Sequence, residues 1–591
     1  MVAKRMNRRQ FLETGGKAAV GAGIGSVMLA GSGLDAPAHA QGTDSIAKDE
    51  VIVKDTGGII CWLESSLNRV YPGSPGKRKD SLEILAARND RVSFQVCARN
   101  SSAEHECKVE VSMEAPDDLR VLIRRVGYVP MLHLNTGTPA EEIEGLEHVP
   151  GLVPEPLYPE TSTMLGPAET QSFWVTVNVP PDAKPGPRRL RFTAKIGEKE
   201  KQSLAAVIDV QPFTIQPRKD FLVGHWFYAD SLCDWYKVEP YERRFWEIVE
   251  PYMADYMGHE NNTMFVPHLT PPINGEHRAQ QLLKVTVPKP GRYEFDFRDV
   301  RRWIRMAKSH GAEHFFFSHL FTQWGAKHAA RVYLSNQDPK SLLWPKETPA
   351  TADVYRSFLV QYLPKLQDFM KREGISDSSY VQMSDEPVGE ESLINYRKGK
   401  AMVREIAPWI KAMDGLSEVC YYREGLCEMP ISGLGAADKF RAEGLPHCVY
   451  YCCGPRGTWL NRLFDTPLAK IRMTGWLCYR LRASGILHWG YNYWYKDCTD
   501  QPIDPFVEHG MCEWPFIPYG DPFVVYPGAD GPLDSIRWEV FAESIRDYAL
   551  LQSAGVSPDD RMLKQIESYE HFPKTEAWIM NARRKLLNAK G

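Results

Sequence analysis

The chain has 591 residues, 43% of them apolar and 25% charged, and its 71 basic and 75 acidic side chains leave a formal net charge of -4. That length exceeds one small core and points to roughly two to four domains. The near-balance of charge gives no reason to expect a nucleic-acid partner, which would usually show as a basic patch or domain.

Residues 1–40 read as a targeting segment. Paired arginines Arg8 and Arg9 lie within Asn7 to Leu12, a weakly apolar Ala/Gly stretch follows from Gly15 to Gly33, and Ala38-His39-Ala40 closes it. This pattern resembles a twin-arginine export signal, with the mature chain beginning near Gln41 and delivered to the periplasm or beyond. The stretch is too weakly hydrophobic for a membrane anchor, and no later run of about 18 apolar residues exists, so no membrane association is expected once the signal is removed. All twelve cysteines follow the signal. An oxidising destination permits disulfides, but the pairing is not readable. The absence of C-x-x-C and H-E-x-x-H spacings gives no reason to expect a metal or other cofactor.

From residue 48 to 217 the chain carries short apolar or β-branched runs, among them Val92 to Cys97, Lys108 to Met113, Phe173 to Val179 and Leu190 to Ala194. Turn signals such as Pro180-Pro181-Asp182 separate them, which predicts a β-sandwich. From 218 to 556 the period changes. Helical spacing over Tyr241 to Tyr256, Val300 to Ala307, Tyr355 to Met370, Tyr396 to Trp409 and Pro467 to Leu481 alternates with strand-like runs at His314 to Ser318, Tyr380 to Met383, Cys448 to Cys452 and Gly485 to Tyr491. Repeated helix-then-strand units over this span predict an α/β fold, a (β/α)8 TIM-like barrel, and residues 557–591 read as a C-terminal helical segment.

Barrel enzymes keep their reactive groups just past the carboxyl ends of the strands. Strand Tyr380 to Met383 runs into Ser384-Asp385-Glu386-Pro387, so two carboxylates stand where a proton donor belongs. Ser, Asp and Glu ahead of a helix are also ordinary capping residues. The segment Gly485 to Trp494 packs four aromatic residues into ten, and its Trp489, Tyr491 and Asn492 offer ring faces and hydrogen bonds for a sugar. Other polar groups near strand ends are His225, Trp226, His319, Trp324, Tyr422 and Asn461. His310, His314 and His319 look like a metal set, but they straddle a helix end, a turn and a strand, which would scatter them.

These residues resemble glycoside hydrolase family 123 and the wider DUF4091 group around it. The resemblance rests on Ser384-Asp385-Glu386-Pro387, the Gly485 to Trp494 segment, Tyr526-Pro527-Gly528, Gly531-Pro532, Ser535-Ile536-Arg537 and Ser544 to Tyr548. It implies a carbohydrate substrate ending in an N-acetylhexosamine, and a retaining, substrate-assisted β-N-acetylgalactosaminidase-like reaction. In that reaction Glu386 is the general acid/base and Asp385 holds the 2-acetamido group. Adjacent carboxylates suit this, because a two-carboxylate retaining enzyme needs its groups about 5 Å apart across the scissile bond, on different strands. Two alternatives stay open. A glycosidase of the same fold acting on another sugar would need a second carboxylate such as Asp497, Asp500 or Glu508. An exported protein that binds carbohydrate without cleaving it would need none.

Overall fold

The structure, a computed structural model, describes residues 58–197, 200–271, 280–338, 340–496, 499, 501–508 and 517–588. The N-terminal region forms two five-stranded sheets. One runs in the order Ile59–Ser65, Asp90–Asn100, Thr170–Val179, Arg120–Met131, Gly151–Tyr158, antiparallel throughout. The other runs Ser81–Arg88, Glu200–Thr214, Gly186–Ile196, Cys107–Glu114, Ser162–Leu165, with only its first pair parallel. Phe94, Val96, Val175 and Val177 of the first sheet pack on Leu190, Phe192, Ala194 and Ile208 of the second. The opposite face of the first sheet, with Val126, Val129, Val153 and Trp174, joins the core of the following domain. Thr170–Val179 is therefore buried on both faces, with Phe173, Val175 and Val177 facing the sandwich core and Trp174 the barrel side.

Eight parallel strands follow: β1 Leu222–His225, β2 Thr263–Val266, β3 His314–Phe317, β4 Ser379–Val381, β5 Met413–Gly415, β6 Met429–Gly433, β7 Cys448–Tyr450 and β8 Gly485–His488. Each pairs with its neighbours in chain order, and β8 returns to β1. The remaining seam, β4 to β5, is closed by the parallel bridge Val381–Ala412. The sheet is thus a closed (β/α)8 barrel behind an all-β domain. Helix Asp353–Glu373 shows why the outer layer forms: Tyr355, Phe358, Leu359, Tyr362, Leu363, Leu366, Phe369 and Met370 are all buried at helical spacing. Pro364 sits on its exposed side, so the helix passes through it, and Gly374 at φ 66° ends it.

Several elements differ from expectation, among them three in the C-terminal half. The Pro467 to Leu481 helix is two, Leu468–Arg472 and Thr474–Arg480, meeting at Met473. The strand expected through Tyr491 stops at His488, and Gly490 beyond it lies against the Pro522 carbonyl, where a Cβ would come within 2.5 Å. Of the terminal segment, the regular helix is Glu576–Asn588. No disulfide joins the described cysteines, and no helix among the described residues is long and apolar enough to cross a membrane.

Buried charge spans the sandwich–barrel junction. Glu155 of the first sheet accepts from Arg537 Nε at 2.7 Å, from Arg537 Nη2 at 2.9 Å and from the Tyr526 hydroxyl at 3.1 Å. Arg537 also donates to the carbonyls of Arg462, Gly520 and Phe523. Each fully buried apolar side chain contributes roughly 1.5–3 kcal/mol, whereas a buried ion pair is close to neutral against an apolar replacement. The apolar face therefore holds the domains together, and the ion pairs fix their register.

Candidate active site

The chain beyond β4 is guided on both sides. On the β3 side, Leu320 N–H donates to Gln382 O (2.9 Å), Phe321 N–H to Met383 O (2.9 Å) and Trp324 N–H to Asp385 O (2.7 Å). On the β5 side, Glu386 N–H donates to Gly415 O at 3.0 Å. The buried Asp414 carboxylate accepts from Met383 N–H at 2.8 Å, from Ser384 N–H at 3.3 Å and from the Tyr396 hydroxyl. Burial pushes Asp414 up to about 7 against the lowering effect of those three donors.

Asp385 and Glu386 are brought together at the barrel mouth, both half-buried. Gln323 Nε2 donates to Asp385 Oδ2 at 2.9 Å, and the Tyr450 hydroxyl at the end of β7 donates to Glu386 Oε1 at 2.7 Å. Burial, then the Glu386 charge, hold the Tyr450 phenol well above its ordinary range, so it is a donor at every relevant pH. Glu386 has φ 42°, a left-handed conformation that costs a non-glycine residue roughly 1–3 kcal/mol. The space Asp385 occupies exists because β5 presents a glycine: a Cβ at Gly415 would stand 2.7 Å from Asp385 Oδ1. A second strained turn faces the pair, with Trp324 at φ 56°, Gly325 at 123° and Ala326 at 52°. Ser384 Oγ ties that turn down, donating to Thr322 O (2.7 Å) and accepting from Ala326 N–H (3.1 Å).

Of the other candidate binding residues singled out from sequence, all but Trp324 and Tyr422 are buried and packed or hydrogen-bonded within the protein. Trp226 stacks on Phe265, with ring centroids 5.8 Å apart, and meets His319 edge-on at 5.5 Å. Burial depresses His319 to about 3, so its ring is neutral. Trp489 packs beside Tyr493 at 5.3 Å, its indole donating to Asp521 at 3.0 Å. Trp324 and Tyr422 are half-buried, the latter in the short helix Cys420–Arg423 after β5. His225, Asn461, Tyr491 and Asn492 are likewise engaged by the protein itself. His225 lies between Asn261 (2.9 Å) and Arg462 (2.7 Å), and Arg462 also meets His488 and the Gly490 carbonyl. Asn461 holds the carbonyls of Cys452 and Pro455, and Asn492 pairs through both side-chain atoms with the backbone of Tyr228. Tyr491 turns outward to Asp255 at 2.7 Å. His314 opens β3 and His319 follows its other end, about 16 Å further along an extended chain, so the imidazoles at 310, 314 and 319 share no centre. Glu508 is exposed, 3.9 Å from Lys496, and Asp497 and Asp500 lie outside the described residues.

Sequence reading missed Tyr450, Gln323, Asp414 and Gly415. For Tyr450 a signal existed, since Val449 packs into the outer core and alternation sends its neighbour inward. β5 is only three residues long and leaves no periodic trace.

Two acidic side chains thus stand side by side at the C-terminal mouth of a closed parallel barrel, where barrel enzymes keep their reactive groups, one of them hydrogen-bonded to a phenol. Residues 226–554 match the family model "Glycoside hydrolase 123, catalytic domain". The chain belongs to glycoside hydrolase family 123 and is a glycoside hydrolase. Its fold is similar to that of a family 123 glycoside hydrolase from Clostridium perfringens, with a TM-score of 0.68, 13% identity, and coverage of 90% of this chain and 97% of that one. Weaker likenesses include a Bacteroides ovatus GH5 xyloglucanase (TM-score 0.28, 8% identity, 80% and 98% covered) and a type III pullulan hydrolase from Thermococcus kodakarensis (TM-score 0.30, 8% identity, 86% and 89% covered). A search of curated protein sequences found no match.

Proposed function

We propose that this glycoside hydrolase is an exported β-N-acetylgalactosaminidase-like enzyme that retains anomeric configuration through its substrate's own 2-acetamido group. The observation that carries the reading is the adjacency of Asp385 and Glu386 on one turn, where neither can reach across a sugar ring to serve as a separate nucleophile. In this mechanism Glu386 protonates the departing glycosidic oxygen while the acetamido oxygen attacks the anomeric carbon. Asp385 accepts the acetamido N–H and stabilises the positive charge of the oxazolinium-like intermediate. Glu386 then takes a proton from water as it opens that intermediate. The Clostridium perfringens relative is described as acting in glycolipid glycan hydrolysis, which supports a glycan substrate here. The paired arginines Arg8 and Arg9 support export by the twin-arginine route.

Hydrolysis of an aryl N-acetyl-β-galactosaminide by the full chain, with the product anomer followed by proton NMR, tests the reading. A β-configured first product and loss of turnover in Glu386→Gln are expected. Near-normal turnover in that variant, or an inverted product, would overturn it.

A further inference from the structure

One dipeptide of β5 governs both sides of the acid pair. Asp414 faces away from the barrel interior and grips the backbone just upstream of the acids through Met383 N–H and Ser384 N–H. Its second oxygen takes the hydroxyl of Tyr396, which belongs to helix Gly389–Ile406, the helix that begins just after Glu386-Pro387. Gly415 faces the interior, accepts the Glu386 N–H and leaves open the space for Asp385 Oδ1. The chain entering the turn and the helix leaving it are thus both tied to one carboxylate. Three donors converge on it, and a carboxylate is the side chain that accepts without donating. A residue present only to pack against the outer helices would be apolar, since a buried carboxylate is costly unless its oxygens are all engaged.

We propose that Asp414 is a positioning residue for the reaction: by holding Met383, Ser384 and Tyr396 together it keeps Glu386 in its left-handed conformation, with the carboxyl aligned on the Tyr450 hydroxyl. This rests on the reading that Glu386 is the proton donor, though not on which sugar is cleaved.

The test uses full-length Asp414→Ala, Asp414→Asn and Tyr396→Phe. A misplacement of about 1 Å at a reacting group costs roughly a hundredfold in rate, so Asp414→Ala is expected to lose about that much in kcat per folded molecule with little change in KM. Asp414→Asn keeps an acceptor for the two N–H groups and should recover to within roughly tenfold of wild type, with Tyr396→Phe between them. Crystal structures supply a readout independent of turnover: in Asp414→Ala, Glu386 should leave positive φ and lose its bond to Tyr450. Wild-type kcat in the folded variants with only a lowered Tm, or an unchanged Glu386 turn, would overturn the proposal. Should Asp414→Ala fail to fold, the other two variants decide it by the same criteria. If the wild-type chain leaves N-acetyl-β-galactosaminides untouched, the proposed reaction falls by itself. The variants are then compared on whichever aryl glycoside of a panel the wild type cleaves, and the Glu386 geometry is judged as before.

Discussion

The Tyr450 hydroxyl donates to Oε1 of Glu386 across 2.7 Å, joining the end of β7 to the turn after β4. One carboxyl oxygen is thereby fixed by the protein, and in the proposed reaction the other faces the leaving group. Tyr450→Phe removes one hydrogen bond to a charged group, of the kind worth about 1.5–3 kcal/mol. We expect kcat to fall by roughly tenfold to a hundredfold with Tm nearly unchanged, checked by steady-state kinetics beside a thermal melt.

Gly415 makes a sharper test because its effect is purely steric. An added Cβ would stand 2.7 Å from Asp385 Oδ1 and 3.6 Å from Glu386 Cγ. Gly415→Ala is expected to abolish most turnover, by about a hundredfold or more, while the barrel still folds. Wild-type activity in this variant would mean that Asp385 does not need the position it occupies.

The junction between sandwich and barrel carries a pH-dependent part of the stability. Burial alone would keep His259 neutral, but the Asp255 and Asp534 carboxylates push it up to about 10. Asp255 is lowered to about 2, burial opposing and His259 prevailing. The buried Glu539, bridged to Arg91 at 2.7 Å and to Arg124, faces the same imidazole. A histidine raised on folding stabilises fully below its unfolded pKa of about 6.5 and loses that contribution as pH rises through about 10. The lowered aspartate stabilises above about 4 and loses its contribution as pH falls through about 2. Tm should therefore decline between about pH 7 and pH 10, and His259→Gln should flatten that decline.

The motif residues Tyr526 and Arg537 act through Glu155 at the sandwich–barrel junction. All three are buried and both Tyr526 and Arg537 bond Glu155, so removing one member of the Glu155–Arg537 pair leaves an uncompensated buried charge, at a cost of about 3–5 kcal/mol. Glu155→Ala should lower the urea midpoint strongly, and Arg537→Lys, which cannot reproduce the bidentate fork, should lower it too. A shift within experimental error would show that the sandwich is not held in register by this pair.

Much of the fold was legible because its longer elements carry unambiguous periods, as in Asp353–Glu373 and Thr170–Val179. The acid pair stands out in sequence because it closes the strand-like run Tyr380 to Met383, although β4 itself ends at Val381. The supports of the pair do not. β4 and β5 have three residues each, too few for alternation to register, and Gly415 matters through its approach to Asp385, thirty positions earlier, and its bond from the Glu386 N–H. Asn492 and Asn461 looked like free amides in sequence, yet each satisfies backbone groups of bends that only the folded chain contains. Polar residues at strand ends serve both purposes, and sequence alone does not separate them.

If the acetamido oxygen is the nucleophile, its basicity controls the first step. Successive fluorination of the acetyl group withdraws electrons from that oxygen without altering the leaving group. The wild-type chain should slow progressively through mono-, di- and trifluoroacetamido substrates, with the trifluoro compound slowest. Asp385 stabilises the positive charge that develops as the ring closes, and removal of such a stabiliser costs about 10²–10³ in kcat. Asp385→Asn should lose that much on the parent substrate while Glu386 still responds to leaving-group pKa. The measurement is kcat/KM across the fluorinated series for both chains. A flat series in the wild type would transfer the nucleophile's role from the substrate to a protein carboxylate, and the adjacency of Asp385 and Glu386 would lose the chemical meaning given to it.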